Sequence, residues 1–473
     1  MTEYKAPATE KQFEENFAPI KPLMNSTEAY YESSRCLFCY DAPCVNACPT
    51  GIDIPLFIRQ INSANVIGAA KTIYDSNYFG YACGKVCPTE VLCEGACVYN
   101  HQDVKPIEIG RLQSYATRQA IRTQKKLFTP GKANGKKVAI IGAGPAGISC
   151  ACELRMLGFE VDIFEAKKQP SGLTVHGVAP YKISNKEALE EMAYLEMQFG
   201  YTVKYDMPIQ TKEDVARIEK GYDAVFLGIG LGLTSALKIN GEEKENCFGA
   251  VEFVEELRKK HHTITVPKKV IVLGGGNTAM DAASECARMG AVQVILAYRR
   301  SKEEMGAYDF EYDLAKGVGV KGLFNAAPVE IRGNGKVSGV QFIRTKTENG
   351  KVENIPGSEF FEEADWVIKA TGQSKQLEFL QNINGLELDK KGCIVVNKEN
   401  KQTKNPKYFA SGDAVSGGQE VVNAAADGYT LTLAAAGFMA VNPSLYAKLP
   451  YDSVKDFAPV SLLVKAPLLL VAN

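Results

Sequence analysis

The hydrophobic pattern changes from helical spacing near the N-terminus to alternating strand and helix patterns further along. Apolar residues recur at helical spacing from Ile54 to Ala70, and a second helical pattern covers Ile107 to Thr123. From Lys137 to Ile141 the chain is an apolar run, followed by a glycine turn, a helix to about Leu157 and a second apolar run, Glu160 to Phe164. The pattern predicts a helical segment followed by a parallel strand–helix–strand unit.

The same unit recurs later in the chain. Lys269 to Leu273 predicts a strand, a glycine turn and a helix to Arg288 follow, and Gln293 to Ala297 predicts the next strand. Another short strand, near Lys407, ends in Gly-Asp at Asp413. The repeat predicts two Rossmann-like nucleotide-binding domains, joined to the helical segment by a polar linker around residues 129–136.

Composition excludes several classes of protein. The chain has 473 residues, 45% hydrophobic and 23% charged, the mix of a globular protein of about three domains. The formal net charge of −1 provides no basic field for nucleic acid. The N-terminus is polar and acidic, and no run reaches the ~18 uncharged apolar residues of a membrane span. We therefore expect a cytoplasmic protein without nucleic-acid or membrane partners.

Cysteine usage gives the first specific signal. Eight of the thirteen cysteines lie between Cys36 and Cys97. Their spacing is Cys36-x2-Cys39-x4-Cys44-x3-Cys48-Pro, then Cys83-x3-Cys87-x5-Cys93-x3-Cys97. Without an export signal, a disulfide framework is not expected. The close spacing favours iron–sulfur clusters over structural zinc, which prefers two CxxC pairs, because only one CxxC is present.

The first glycine turn has a dinucleotide-binding pattern. It reads GxGxxG directly between a strand and a helix, and comprises Gly142, Gly144, Pro145, Ala146 and Gly147. Glycines there allow a tight turn and let the backbone reach a pyrophosphate at the helix N-terminus.

Two further features complete the first nucleotide site. Glu165 ends the next strand, where a carboxylate can bind ribose hydroxyls. Much later, Gly412-Asp413 follows a strand and suits the ribityl and phosphate end of FAD. The three elements together predict an FAD site.

The second glycine turn indicates a nicotinamide coenzyme. It comprises Gly274, Gly275, Gly276, Asn277 and Thr278 at the start of a helix. After its second strand the chain carries an arginine pair, where NAD-binding proteins usually have an acid. Guanidinium groups bind a 2′-phosphate well, so Arg299 and Arg300 favour NADPH, with NADH still possible. His101, His176, His261 and His262 form no constellation, and no side chain is expected to act as acid, base or nucleophile.

The cysteine runs resemble the N-terminal domain of the dihydropyrimidine dehydrogenase family. The matching stretches are RCLFCYDAPCVNACPT, CGKVCPTEVLCEGAC and IEIGRLQ. The resemblance implies two 4Fe–4S clusters. One would be bound by Cys36, Cys39, Cys44 and Cys97, and the other by Cys48, Cys87, Cys93 and Gln113. Cys83 would then be spare.

Residues ~25–428 as a whole resemble the NAD(P)H-oxidising subunits of bacterial members of that family. The segment with Gly172 and Leu173 resembles the stretch beside the flavin ring, although Ser171 replaces a usual glycine. The resemblance implies electron transfer from NADPH through FAD and two clusters to an FMN-containing partner subunit that reduces uracil or thymine. A hetero-oligomer is therefore expected. A glutamate synthase small subunit, or a ferredoxin–NADP oxidoreductase type of subunit, is the alternative.

The expected fold class is α/β. The expected domains are an α-helical iron–sulfur domain at 1–132, an FAD domain at 133–262 and 370–428, an NADPH domain inserted at 263–369, and a tail at 429–473. The tail resembles a fragment of the tripartite tricarboxylate transporter solute-binding family, through DGYTL, NPSLY, KLPYD and KDFAPVS. We expect a chimeric junction near Asp427-Gly428. The missing export signal and the cluster cysteines argue against a solute-binding protein for the whole chain.

Overall fold

The computed structural model of the chain describes residues 4–435, which contain a helical unit, two parallel sheets and one antiparallel sheet. Helices α1 to α7 are Glu10–Asn16, Ser26–Ser34, Pro43–Asn46, Ile54–Asn62, Val66–Tyr74, Gly80–Val86 and Ile109–Arg122. Helices α8 to α17 are Pro145–Met156, Leu173–His176, Asn185–Phe199, Lys212–Gly221, Ala250–Lys260, Asn277–Arg288, Asp309–Gly317, Leu377–Leu380, Asp413–Ser416 and Val421–Ala435.

Strands β1 to β7 are Lys137–Ile141, Glu160–Phe164, Thr202–Lys204, Ala224–Leu227, Cys247–Gly249, Lys269–Leu273 and Gln293–Ala297. Strands β8 to β14 are Lys321–Leu323, Ala326–Arg332, Gly339–Glu348, Lys351–Asn354, Phe360–Glu363, Trp366–Lys369 and Tyr408–Ala410. Short 3₁₀ turns cover Thr89–Val91, Val98–Gln102, His261–Thr263 and Lys302–Glu304.

The helical unit contains one departure from the sequence pattern. The single helix predicted from Ile54 to Ala70 is two helices, α4 and α5. The break occurs where Ala64 adopts a φ of +62° and the Asn65 side chain accepts a hydrogen bond from the Gly68 amide over 3.0 Å. The turn brings the apolar faces of both helices onto α7, in one shared core. A helix cap thus overrides an uninterrupted hydrophobic pattern.

The first parallel sheet has the strand order β14-β4-β1-β2-β3. Its central strand β1 is buried at four of five positions, because helices cover both faces of a parallel sheet. The edge strand β14 follows the whole second sheet in the chain and pairs with β4 in parallel. The predicted interruption of one Rossmann-like domain by another is therefore confirmed.

The second parallel sheet has the order β5-β13-β6-β7-β8. Strand β5 lies in the stretch assigned from sequence to the first part of the FAD domain, yet it pairs with β13. The second sheet thus starts before residue 263, at a strand of only three residues that has no readable pattern. Between β8 and β13 the chain forms an antiparallel sheet of β11, β10, β12 and β9.

The last helix passes through the predicted junction. Helix α17 crosses α8 closely, since a Cβ on Gly428 would lie 2.3 Å from the carbonyl oxygen of Ala146. Asp427 accepts hydrogen bonds from Lys401 and from the Gly412 amide. The expectations for the tail from residue 436 onward lie outside the described residues. Within residues 4–435, no helix is long and apolar enough to cross a membrane.

Candidate functional site

Four of the predicted cluster cysteines line one cavity. Cys36 and Cys39 lie in the loop after α2, Cys44 lies in α3, and Cys97 precedes a 3₁₀ turn. The remaining walls are mostly apolar, with Ile54 and others from α4 and α7. Burial, followed by the neighbouring thiols of Cys36 and Cys97, raises the pKa of Cys44 to about 12. These four side chains are the set that the family resemblance implied for the first cluster.

A second group of thiols lies beside the first. A hydrogen bond with Cys83, burial, and the thiols of Cys93 and Cys48 raise the pKa of Cys87 well above its usual range. Burial, followed by Glu94 and Cys48, does the same for the pKa of Cys93. The three cysteines predicted for the second cluster are thus neighbours. Cys83, predicted to be spare, contacts Cys87 from one helical turn earlier in α6.

Gln113, the predicted fourth ligand of the second group, is buried in α7 against α6. Its Nε2 donates to the carbonyl oxygen of Gly80 over 2.6 Å. That bond uses the amide nitrogen, so the amide oxygen is the end suited to a metal. The structure therefore places two candidate fourth donors near α6: the oxygen of Gln113 and the thiol of Cys83.

The donor chemistry of both groups fits iron–sulfur clusters. A 4Fe–4S cluster takes one ligand at each of its four irons, and thiolates are the usual ligands. Four thiols around an apolar cavity provide that set directly, and a bound metal centre would hold them ionised. Over residues 4–435, no three Cys, His, Asp or Glu side chains are grouped as the ligands of a single metal ion.

One buried carboxylate joins the thiol-bearing unit to the first parallel sheet. Glu191 in α10 accepts hydrogen bonds from the backbone amides of Tyr81 and Ala82 over 2.7 and 2.9 Å, and from the Tyr74 hydroxyl over 3.2 Å. Burial raises the pKa of Glu191 to about 7, and these hydrogen bonds oppose the rise. The start of α6, which leads to Cys87, is thereby held against the flavin-side unit.

The first glycine turn lies between β1 and α8, as its sequence predicts. Gly142 has a φ of +102°, and a Cβ there would lie 2.4 Å from the carbonyl oxygen of Gly228. Gly147 approaches even closer, since its Cβ would lie 2.0 Å from the carbonyl oxygen of Gly142. Only glycine fits these two positions, so the helix N-terminus is brought up to the end of the sheet.

A cavity of about 1130 Å³ opens in front of this turn. Nine of the ten residues predicted for the flavin line it: Gly142, Gly144, Pro145, Ala146, Glu165, Gly172, Leu173, Gly412 and Asp413. Gly147, the tenth, instead provides the close helix–turn contact. Residues separated by more than 200 positions therefore meet in one cavity.

The end of β2 and the start of α16 provide the two carboxylates of this cavity that the sequence predicted. Glu165 accepts hydrogen bonds from the amides of Ala143 and Lys167, each over 2.8 Å. Both oxygens retain lone pairs that can accept ribose hydroxyls. Asp413 accepts from the Gln419 amide over 2.9 Å, and burial raises its pKa.

The cavity fits FAD on two further observations. Apart from its two chain neighbours, a Cβ on Gly144 would have no heavy atom of the described residues closer than 4.0 Å, so the glycine leaves open space where a pyrophosphate would lie. The Ser411 hydroxyl is buried in the cavity wall, without a hydrogen-bond partner among residues 4–435. A large, partly polar cavity with an unpaired donor is suited to a dinucleotide.

Sequence reasoning missed several cavity residues. The loop after β4, from 228 to 233, lies opposite the glycine turn, and Lys375 and Gln376 come from the segment after β13. Glu420 lies at the start of α17. The first of these carries a signal, because Gly228, Gly230 and Gly232 follow a buried strand. The others have no local pattern.

The second glycine turn lies between β6 and α13. A Cβ on Gly274 would lie 2.4 Å from the carbonyl oxygen of Ala370, and one on Gly275 would lie 2.5 Å from the Tyr298 ring. Gly276 has open space around its Cβ position, and Asn277 and Thr278 begin the helix. The turn therefore has the same construction as the first.

The arginine pair follows β7, as predicted. Arg299 is exposed and Arg300 is half-buried, and the Arg300 Nε has no hydrogen-bond partner within the described part of the chain. Hydrogen bonds with Ser301 and Thr347 lower the pKa of Glu304. The nearby Arg300 guanidinium lowers it further. One exposed guanidinium and one with an unpaired Nε, next to a glycine turn, can bind an anion.

Comparison with known proteins places the chain in a family. Residues 13–125 match the family described as dihydropyrimidine dehydrogenase domain II, 4Fe-4S cluster, and residues 136–428 match pyridine nucleotide-disulphide oxidoreductase. The chain belongs to the pyridine nucleotide-disulphide oxidoreductase family. It is an NAD(P)H-dependent flavin and iron–sulfur oxidoreductase, which confirms the predicted enzyme class and the predicted cofactor types.

Individual relatives cover nearly the whole described chain. The NAD-dependent dihydropyrimidine dehydrogenase subunit PreT of Salmonella typhimurium is 34% identical over 86% of this chain and 94% of its own. The glutamate synthase (NADPH) small chain of Escherichia coli is 33% identical over 87% and 92%. The oxidoreductase FprA of Mycobacterium tuberculosis shares the fold, with a TM-score of 0.56, 17% identity, and coverage of 67% of this chain and 88% of its own.

The tail matches a different family. Residues 405–473 match the tripartite tricarboxylate transporter family receptor, which confirms the resemblance read from the sequence. This match overlaps the oxidoreductase match from 405 to 428, the stretch that holds Gly412, Asp413 and the Asp427-Gly428 pair. That the junction is chimeric remains a prediction.

Proposed function

We propose that this chain is the NAD(P)H-oxidising subunit of a dihydropyrimidine dehydrogenase, passing electrons to a partner subunit that reduces uracil or thymine. The observation that carries the proposal is that one chain contains two candidate cofactor sites. Nine predicted flavin residues surround one cavity, and four predicted cluster cysteines surround another. Bound FAD would accept a hydride from the coenzyme and release single electrons, which the clusters would carry onward.

The residues of the flavin cavity have separate roles in this proposal. The amides at the start of α8 bind the pyrophosphate, because the helix N-terminus carries unpaired N–H groups. Glu165 accepts the ribose hydroxyls of the adenosine end, and Asp413 binds the ribityl end. Gly172 and Leu173 border the flavin ring. Ser411 donates its unpaired hydroxyl to the bound cofactor.

The coenzyme is proposed to bind at the second glycine turn. Gly274 to Thr278 hold its pyrophosphate, and Arg299 and Arg300 bind the 2′-phosphate. This arrangement supports NADPH as the preferred coenzyme, because a carboxylate normally holds the 2′-hydroxyl of NAD at that place. The Salmonella relative is named NAD-dependent, which makes coenzyme preference a direct test of the arginine pair.

The cluster ligands are proposed in the sets implied by the family resemblance. Cys36, Cys39, Cys44 and Cys97 bind one 4Fe–4S cluster, and Cys48, Cys87, Cys93 and Gln113 bind the other. A neutral amide in place of a thiolate changes the charge of the second cluster, which is one determinant of reduction potential.

The partner is proposed to be an FMN-containing, pyrimidine-reducing subunit in a cytoplasmic hetero-oligomer. A second candidate function, the small subunit of a glutamate synthase, is favoured by the similarity to the Escherichia coli small chain. The DAPC stretch and the IEIGRLQ helix, which carries Gln113, favour the pyrimidine branch.

The test is partner-dependent turnover under anaerobic conditions. The purified chain alone should oxidise NADPH with ferricyanide as acceptor and should leave uracil unreduced. Co-expression with the FMN-containing subunit of a bacterial dihydropyrimidine dehydrogenase should produce dihydrouracil. If the chain supports glutamate formation with a glutamate synthase large chain and forms no dihydrouracil, the first proposal is wrong and the second candidate function is supported.

A further inference from the structure

Glu420 occupies the boundary between the two nucleotide-binding units. It lies on the wall of the flavin cavity, directly before α17. Asp413 of the same wall is close enough to contribute to its raised pKa, of which burial is the main cause. Lys182 and the Tyr308 hydroxyl oppose this rise. A half-buried carboxyl thus faces groups from both units.

The Glu420 carboxylate contacts the coenzyme-side unit at two points. Its Oε1 accepts from the Tyr308 hydroxyl over 3.3 Å and from the Asn277 Nδ2 over 3.5 Å. The Tyr308 amide in turn donates to the Asn277 Oδ1 over 3.1 Å, which closes a three-residue bridge. Asn277 is the first residue of α13, immediately after Gly276 of the second glycine turn. The bridge therefore connects the flavin cavity directly to the coenzyme-binding turn.

A buried ionic network fixes the same two units deeper inside. Lys182 lies 2.9 Å from Asp281 and 2.7 Å from Glu311, and the Tyr181 hydroxyl donates to Asp281 over 2.6 Å. Burial alone would lower the pKa of Lys182, but Asp281 and Glu311 outweigh it and raise the pKa. This network holds the body of α13 against the flavin-side unit, and the Glu420 bridge adds the contact with that unit at the first turn of the helix.

The polar face of α13 explains why the two contacts act together. Asn277, Asp281, Glu285 and Arg288 are spaced by four, four and three residues, so they lie along one face of the helix. Asp281 binds Lys182 and Tyr181 from the middle of this face, while Asn277 binds Glu420 at its N-terminal end. Loss of the end contact should shift the glycine turn without unfolding the helix.

We propose that Glu420 is a positioning residue that holds the second glycine turn against the flavin cavity and so sets the approach of the coenzyme to the flavin. The inference rests on the proposed use of the first cavity for FAD and of the second turn for NAD(P)H. Hydride transfer is sensitive to placement, since a misplacement of ~1 Å can cost ~100-fold in rate. Two modest hydrogen bonds at the turn therefore affect rate more than stability.

The test is rapid-mixing reduction of the bound flavin by NADPH in the full chain, purified anaerobically. Glu420→Ala should lower the limiting rate of flavin reduction about tenfold, with FAD content and thermal midpoint unchanged. Glu420→Gln should stay near wild type, because its amide oxygen accepts the same two hydrogen bonds. The long-wavelength charge-transfer absorbance between coenzyme and flavin should weaken in Glu420→Ala but not in Glu420→Gln.

Two controls separate this role from others. Tyr308→Phe removes one of the two donors and should give a smaller decrease in the same rate. Glu359→Ala removes an exposed carboxyl in the loop directly before β12 and should leave the rate unchanged. Equal rates for Glu420→Ala and wild type would overturn the inference, as would a Glu420→Gln variant as slow as Glu420→Ala. A wild-type chain without reducible flavin would instead overturn the proposed function itself.

Discussion

Replacing Ser171 by glycine should stabilise the flavin-bound chain. Ser171 has a φ of +78° and is fully buried, and its amide donates to the Ala143 carbonyl oxygen over 2.7 Å. The serine hydroxyl has no hydrogen-bond partner among residues 4–435. A left-handed conformation costs a residue with a Cβ about 1–2 kcal/mol, and a buried unpaired hydroxyl costs about 1–3 kcal/mol. Glycine loses part of this gain, because its greater backbone entropy in the unfolded chain costs about 0.5–1 kcal/mol on folding.

When the lower ends of these ranges are combined, the free energy of unfolding of Ser171→Gly should exceed that of the wild type by about 1–2 kcal/mol. The assay is the temperature at which flavin fluorescence appears on heating, which should rise by about 2–4 °C per kcal/mol for a domain of this size. Ser171→Ala is the matched control: it removes the hydroxyl and keeps the positive φ, so it should recover only part of the rise. A lower release temperature for Ser171→Gly would refute the reasoning.

The remaining predictions concern the clusters, the coenzyme and pH. The anaerobic chain should carry about eight iron atoms, and Cys83→Ser should keep them; loss of about half the iron would make Cys83 a ligand. Replacing Arg299 and Arg300 by Ala should lower kcat/KM for NADPH by about one to two decades more than for NADH, and equal losses would exclude a role in 2′-phosphate binding. Because the pKa of Glu191 is raised from 4.5 to about 7, the folded chain holds a proton that the unfolded chain releases. Its contribution to stability is complete below pH 4.5 and is lost as the pH rises to 7, so Glu191→Gln should flatten that part of the unfolding profile.

The parts of the structure that the sequence predicts well are those with a local cause. Both glycine turns lie between a strand and a helix because Gly142 and Gly274 allow backbone contacts that a Cβ would prevent. The buried strands β1 and β7 are continuous apolar runs, as expected for parallel sheets covered on both faces. The meeting of Gly142 and Gly412 in one cavity is predicted only when both segments are combined into one FAD pattern.

The features that sequence does not predict depend on tertiary contacts. The break between α4 and α5 depends on how Asn65 caps the second helix, while the apolar pattern continues through it. Strand β5 has three residues and is defined only by its pairing with β13. Cys83 follows the same spacing rule as the other cysteines, and only the packing of α6 shows that it contacts Cys87. Glu420 carries no motif, because its role depends on a helix more than 130 residues earlier.

The two boundaries of the flavin unit are built in the same way, and this similarity bears on electron transfer. On one side Glu191 accepts the amides that begin α6, which leads to Cys87. On the other side Glu420 accepts a hydrogen bond from the Nδ2 of Asn277, the first residue of α13. In each case a carboxylate from the flavin unit holds the first turn of a neighbouring helix, through two backbone amides in α6 and through the side-chain amide of Asn277 in α13. Each of these helices also carries or borders a predicted cofactor ligand. The flavin unit thus holds the starts of α6 and α13, where predicted cofactor ligands lie. Contacts of Lys85 with Glu187 and of Arg288 with the Tyr181 ring hold the far ends of the same helices, so the spacing between cofactors is supported along each whole helix.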